Sequence, residues 1–333
     1  MSTNPTAPAN TMKAIVQDRY GSPKRLKLVE IAQPTVDDDG VLVRVRAASV
    51  NPLDWHIMRG LPYLVRLGDG WRGPQNPVRG VDVAGIVEAV GKNVTEFHAG
   101  DEVFGHRSGS FAEFVSGKES NFALKPARLT FEQAAAVPVA GYTALQGLRD
   151  KGQVKPGQRV LVNGAAGGVG TFAVQIAKAF GAEVTGVCSA RNVDLVQSLG
   201  ADRVIDYAKE DFTRDRRRYD VIFDAVGNRS LAACRRALTP TGALVLVGTV
   251  SHGRFIGPMM RPIRGALLAR FSKQRMGLFI AMNNKADLLV LKELIEADKV
   301  TPVIDRVYPL SEAAEAVRYL EAGHAHGKVV ITV

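Results

Sequence analysis

Val160-Leu161-Val162-Asn163-Gly164-Ala165-Ala166-Gly167-Gly168-Val169-Gly170 is the stretch whose reading decides the fold. Residues 159–163 form a short apolar run that reads as a buried strand. Behind the glycines, Val169, Phe172, Ala173, Ile176, Ala177 and Phe180 recur at i, i+3, i+4, i+7, i+8 and i+11. That spacing is one helical face, and Gly181 closes it as a C-terminal cap. A glycine-rich turn between a strand and an amphipathic helix lets the backbone approach a pyrophosphate closely. The helix start then offers it free N–H groups and a positive dipole. Gly164, Gly167, Gly168, Val169 and Gly170 are therefore predicted to cradle a dinucleotide.

The alternation continues outward. Strands are predicted at 183–188, 203–206, 221–225 and 243–247, with helices at 192–199, 230–238 and 286–297. Strands alternating with helices predict an α/β fold with a doubly wound parallel sheet. Upstream the character differs. Residues 13–20, 25–31, 41–50, 81–90 and 111–115 are short runs rich in Val, Ile and Phe. Gly21-Ser22-Pro23, Asp37-Asp38-Asp39-Gly40 and Gly100-Asp101 separate them as turns. No long helical period is read before about residue 130. The chain ends with a helical stretch at 310–322 and a strand at 328–333.

The choice between NADH and NADPH turns on the end of the second strand. An NAD site places an acid there to accept from the ribose 2′-OH. Here the strand runs into Ser189-Ala190-Arg191-Asn192, with no acid. Arg191 offers a guanidinium to a 2′-phosphate, and Ser189 and Asn192 offer hydrogen bonds. NADPH is the predicted cofactor, with Tyr207 packing on its adenine side.

Composition sets outer limits. The chain has 333 residues, 46% apolar and 23% charged, with 43 basic against 33 acidic residues and a net charge of +10. This composition suits a soluble globular protein with more than one core. Two cysteines, Cys188 and Cys234, cannot build a disulfide framework or a four-cysteine zinc site. Residues 1–11 are polar and read as a disordered tail, so a cytoplasmic location is expected. Nucleic acid is discounted, because no recognition motif accompanies the basic residues. Residues 251–275 carry six basic side chains and no acid, interleaved with Met259, Met260, Ile263, Leu267, Leu268 and Phe271. Three readings stay open there: a solvated helix, a lid over an apolar substrate, or a helix touching an anionic membrane surface. Gly323-His324-Ala325-His326-Gly327 is read as a surface loop, because two histidines without a third ligand do not make a metal site.

Further motifs carry a family resemblance. Gly80-Val81-Asp82-Val83-Ala84-Gly85 with Gly91, then Phe97-His98-Ala99-Gly100-Asp101 and Ala135-Ala136-Val137-Pro138, resemble the medium-chain dehydrogenase/reductase superfamily. Gly141-Tyr142-Thr143-Ala144 and Leu199-Gly200-Ala201-Asp202 continue the match, which runs from about Met12 to Val333. The chain is most similar to the zinc-independent quinone oxidoreductase and enone reductase branch. The resemblance implies a GroES-like domain over 1–127 and 302–333, and a Rossmann NADP-binding domain over 128–301. Zinc-dependent relatives carry ligands at positions that hold Asn51, Val81-Asp82 and 137–140 here, so no catalytic zinc is expected.

The implied reaction is hydride transfer to a quinone or an α,β-unsaturated carbonyl. Asn51 is the expected donor to the developing oxyanion. Tyr63 is a second candidate, one residue late compared with the proton-donating tyrosine of enoyl-thioester reductases. Asp54, Trp55 and Tyr63 are expected to border the substrate. Thr143 would lie by the nicotinamide, Val226, Gly248 and Thr249 along the cofactor, and Lys328 near its phosphates. A homodimer through residues 278–281 is implied as well. The alternatives are an enoyl-thioester reductase, a carbonyl/alcohol oxidoreductase, and an NADPH-binding or membrane-associated partner protein with little turnover.

Overall fold

The computed structural model describes residues 10–247, 273–323 and 325–333. The glycine-rich stretch sits at the centre of a six-stranded, all-parallel sheet. Its strands are β8 (Arg159–Asn163), β9 (Glu183–Cys188), β10 (Arg203–Asp206), β11 (Tyr219–Asp224), β12 (Leu238–Leu246) and β13 (Arg275–Leu278). The spatial order is β10-β9-β8-β11-β12-β13. The order reverses between β8 and β11, and a doubly wound sheet opens its ligand crevice at such a point, outside the carboxyl ends of the strands. Predicted strands 159–163, 183–188 and 203–206 match β8, β9 and β10. The predicted 243–247 strand starts earlier, at Leu238, because Leu238 also pairs with Tyr219 of β11.

A seven-stranded sheet faces this one. Its path runs β14 (Ile304–Pro309), β15 (Lys328–Thr332), β3 (Gly40–Val50), β4 (Asp82–Val90), β5 (Glu102–His106) and β7 (Phe122–Leu124), with β6 (Phe114–Lys118) paired to β3. Strands from 40–124 and from 304–332 thus share one sheet. A hairpin of β1 (Thr11–Val16) and β2 (Lys27–Ala32) packs beside it. The first predicted strand stops at Val16, since Gln17 leaves the hairpin and donates its N–H to Pro77 O. The predicted 111–115 strand forms three residues later, as β6. Phe111 and Ala112 before it are fully buried, and Phe111 bonds back to Arg79.

Three short helices deserve placing. α1 (Pro52–Arg59) and α2 (Arg66–Asp69) precede β4, and α1 escaped the periodicity reading because it is only two turns long. α3 (Phe131–Ala135) starts on a capping box between Thr130 and Gln133. The other helices are α4 (Pro138–Gln146), α5 (Gly168–Ala179), α6 (Val193–Ser198), α7 (Leu231–Ala237), α8 (Lys285–Glu296) and α9 (Ala313–Glu321). One apolar core joins the two sheets. Ala47, Ala84 and Phe104 from the seven-stranded side pack in the same cluster as Leu145, Phe172 and Leu288. Among the described residues, no helix is long and apolar enough to cross a membrane. Gly248, Thr249, residues 251–272 of the basic segment, and His324 lie outside the described residues.

Candidate active site and cofactor cleft

The cradle forms as the motif requires. Gly164 leaves β8 at φ +88°, a conformation that L side chains rarely adopt, and its N–H bonds to Val187 O. A Cβ on Gly170 would fall 2.0 Å from Gly164 O, so only glycine lets the helix start fold back on the loop. Gly167 is the N-cap of α5 and has no side chain to cap it. The first N–H groups of that helix therefore point to whatever fills the crevice. Val169 packs half-buried against the core, and Val226 Cγ2 lies against Gly164.

At the end of β9 the predicted phosphate contacts come together. Ser189 is half-buried and Arg191 is exposed. Asn192 is 9% exposed, and its Nδ2 donates to Ser189 Oγ at 3.1 Å and meets His326 Nδ1 at 3.0 Å. The Asn192 amide thus acts inside the protein, holding its neighbours. It does not cap α6, and the loop carrying His326 is docked rather than a detached surface loop. Tyr207 follows β10, is 53% exposed, and donates its N–H to Cys188 O.

The opposite wall of the cleft is a row of polar side chains set by strand register. β15 pairs with β3 so that Val329 faces Val50, which places Lys328 beside Asn51. β3 pairs Ser49 with Asp82 of β4, and β4 pairs Asp82 with His106 of β5. Asp82 is completely buried. Its Oδ2 accepts from Ser49 Oγ (2.8 Å) and Asn51 Nδ2 (2.8 Å), with Lys328 Nζ at 3.5 Å. Its Oδ1 accepts the Val139 N–H at 3.1 Å. Asp82 therefore also caps α4, a favourable place for an anion at a helix N-terminus, and ties the two sheets together. His106 Nδ1 stands 3.7 Å from Asp82 Oδ1, beyond hydrogen-bond reach.

Lys328 is 3% exposed. Its Nζ donates to Asn51 Oδ1 at 2.5 Å, while its Cδ lies 3.0 Å from where a Cβ on Gly168 would stand. The stem thus runs along the start of the cofactor helix, and the ammonium turns inward to Asn51. The sequence placed this lysine at the phosphates and gave no sign of its reach to Asn51. Asn51 in turn points its amide donors at Asp82 and, at 3.4 Å, at Ser49 O.

Burial dominates the ionisation of this group. It opposes the charge on Asp82, but Lys328, His106 and Asn51 outweigh it and hold the carboxyl below the ordinary range. Burial lowers Lys328, with Asp82 and Asp54 pulling the other way. Asp54, 5% exposed, accepts the Asn51 N–H at 2.7 Å. Desolvation pushes it up to about 7, opposed by that bond and assisted by the negative Asp82.

The remaining predicted residues are placed as follows. Thr143 is half-buried in α4 and donates to Val139 O at 2.7 Å. Trp55 stacks on His56 with ring centroids 3.7 Å apart and packs against the core under α9. Tyr63 lies in a short turn of 3-10 helix, with the Arg66 guanidinium 4.7 Å from its ring centroid and 4.6 Å from that of Tyr20. A cavity of about 260 Å³ opens between the end of β5, α4 and the start of α8, lined by His106, Asn121, Tyr142, Asn284 and Lys285 among others. Sequence reasoning missed Asp82 as a participant, together with Ser49 and His106. The signal available was weak: three polar residues at or near the ends of strands that carry other charged side chains as well. Among the described residues, no group of three or more His, Cys, Asp or Glu is placed to hold a metal ion.

Residues 37–128 match the family "Alcohol dehydrogenase GroES-like domain", and residues 199–331 match "Zinc-binding dehydrogenase". The chain is 37% identical to the 2-methylene-furan-3-one reductase of Solanum lycopersicum, over 99% of this chain and 81% of that protein. It is 36% identical to the chloroplastic NADPH-dependent alkenal/one oxidoreductase of Arabidopsis thaliana, over 99% and 82% respectively. Its structure is similar to that of the quinone oxidoreductase from Coxiella burnetii, at TM-score 0.85 and 33% identity, covering 97% of this chain and 100% of the other.

Proposed function

Since the chain belongs to the medium-chain dehydrogenase/reductase superfamily, whose members are oxidoreductases that work with a nicotinamide cofactor, we propose that it is a zinc-independent, NADPH-preferring reductase of α,β-unsaturated carbonyls or quinones. The observation that carries this reading is the pairing of the Gly164–Gly170 cradle with a strand end that presents Ser189 and Arg191 and no carboxylate. A 2′-phosphate needs donors there and is repelled by an acid. The relatives named for enones and quinones support the acceptor class.

Zinc independence has its own support. The aligned ligand positions hold Asn51, Val81 and Asp82. Asp82, the one acid among them, has both oxygens engaged by Ser49, Asn51, Lys328 and the α4 N-terminus. Metal coordination would have to break that set.

NADPH supplies the hydride when bound. The chain's own residues must hold it, exclude water and stabilise the oxygen on which charge builds up. Lys328 sets a positive charge at the base of the cleft, beside the start of the cofactor helix, and Asn51 fixes its direction. A preorganised cation at that place favours a developing enolate or hydroquinone oxygen more than it would in water. Asn51 works as the positioning group, because its amide donors already face Asp82 and Ser49. Tyr63, Trp55 and Thr143 are proposed to bound the acceptor and nicotinamide. A homodimer is proposed through β13, the last strand of its sheet among the described residues, next to Ile280 and Met282, which are more than 70% exposed.

The test is cofactor oxidation followed at 340 nm, NADPH and NADH in parallel, with chelator present. Acceptors should include an ortho-quinone, a para-quinone, an aliphatic enone, an enoyl-thioester and a simple ketone. Turnover of enone or quinone with NADPH is expected. Turnover of the ketone alone, abolished by chelator, would overturn the reading.

A further inference from the structure

His326 and Ser189 share one donor. Asn192 Nδ2 lies 3.1 Å from Ser189 Oγ and 3.0 Å from His326 Nδ1, and an amide nitrogen has two hydrogens to give. With both directed so, Ser189 keeps its own hydroxyl hydrogen. The hydrogen-bond network likewise assigns the imidazole proton to Nε2. The two groups therefore flank the Asn192 amide as donors, beside the segment that carries the exposed Arg191.

The imidazole comes from the other sheet. It sits on the loop between α9 and β15, two residues before Lys328. Its backbone N–H donates to Asp305 Oδ2 at 3.0 Å, and that same oxygen accepts the Tyr319 hydroxyl at 2.8 Å. The nearby carboxylate of Asp305 is thus bound to the loop's backbone and to α9. Gly327 lets the loop turn at φ +110°, and a Cβ there would strike Val303 O at 2.6 Å. The loop is held by its own sheet and aims one side chain at the end of β9.

We propose that His326 is a specificity residue of the cofactor site, donating from Nε2 to the 2′-phosphate alongside Ser189 and Arg191. This deepens the NADPH reading and rests on it. Asn192 is its positioning residue, fixing ring and hydroxyl at once. The consequence is that the phosphate, and not the rest of the adenosine, is gripped from both sheets.

The experiment uses fragments that differ by one phosphate. Binding of 2′,5′-ADP and 5′-AMP to the full chain is measured by calorimetry for the wild type, His326→Ala, His326→Gln and Arg191→Ala. His326→Ala is expected to weaken 2′,5′-ADP about tenfold to 150-fold, the range of one hydrogen bond to a charged group, with 5′-AMP within twofold. His326→Gln, which keeps a donor, should recover part of the loss. In turnover, KM for NADPH should rise while kcat holds. Equal weakening of both fragments would make His326 a mere latch between the sheets and overturn the proposal, as would no change in either. If the wild type binds 2′,5′-ADP no more tightly than 5′-AMP, the NADPH reading itself falls and takes this inference with it. If Arg191→Ala alone erases the preference, the NADPH reading survives and the histidine's role does not.

Discussion

The two walls of the cleft solve opposite electrostatic problems. At the end of β9, Ser189, Arg191 and Tyr207 reach solvent or nearly so, and the Arg191 charge and the two hydroxyls are open to an incoming anion. At the base, Asn51, Asp82 and Lys328 are each at most 3% exposed and already satisfy one another. An open wall discriminates between ligands, because water can leave it at little cost. A closed wall holds a fixed field, because its charges cannot relax without breaking the fold. Recognition and chemistry are thus divided between two sheets, and substitutions should divide the same way.

The largest effect should come from Asp82→Ala. It leaves the Lys328 ammonium buried without its partner and strips the cap from α4. Breaking a buried pair in this way costs about 3–5 kcal/mol. Urea unfolding should show that loss, and a change under about 1 kcal/mol would mean the wall is not closed at all. Gly170→Ala comes next: the new methyl meets Gly164 O, so NADPH binding should collapse while the apolar core stays folded, read by fluorescence titration and circular dichroism. Lys328→Met keeps the stem and removes the charge. It should lower kcat by about tenfold or more, the effect of one preorganised group, with NADPH affinity within a few-fold. A change in affinity alone would return Lys328 to the phosphates and erase the division of labour.

Asp54 supplies a pH test. Its folded pKa of about 7 lies above the ordinary carboxylate value of 3.8, so the folded state holds the proton more tightly than the unfolded chain does. That preference stabilises the protein at low pH and is lost as pH rises towards 7. Asp54→Asn retains an acceptor for the Asn51 N–H. It should be more stable than wild type at pH 8, by about 2–4 kcal/mol, with the gap closing towards pH 4. A gap independent of pH would show that Asp54 is not desolvated. The smallest effect is expected for Tyr63→Phe, which keeps the ring against Arg66. A drop in kcat beyond about tenfold would instead make Tyr63 a proton donor.

The two walls also differed in how far they could be read beforehand. The open wall was legible because its signals are local. The glycines, the helix face from Val169 to Phe180 and the missing acid after Cys188 all fall within about 30 consecutive residues. Strands β8, β9 and β10 emerged with their ends correct for the same reason. The closed wall depends on register between strands far apart in the chain, which no local period records. Asn51 read as an oxyanion donor because nothing nearby revealed that Asp82 claims its amide. Lys328 was placed at the phosphates by the family resemblance, and its neighbour in sequence, Gly327, gives no hint of Asn51. His326 was set aside for lack of a third metal ligand, when its partner proved to be Asn192, from the other sheet.

The Lys328–Asn51 contact spans 277 positions of the chain. During synthesis Asp82 leaves the ribosome long before the lysine that balances it. Until β15 arrives, the strands from 40 to 124 hold an acid in their interior with no cation to meet it. That early portion should therefore remain loose and chaperone-accessible until the lysine is in place. A strand made late would then lock a sheet begun early.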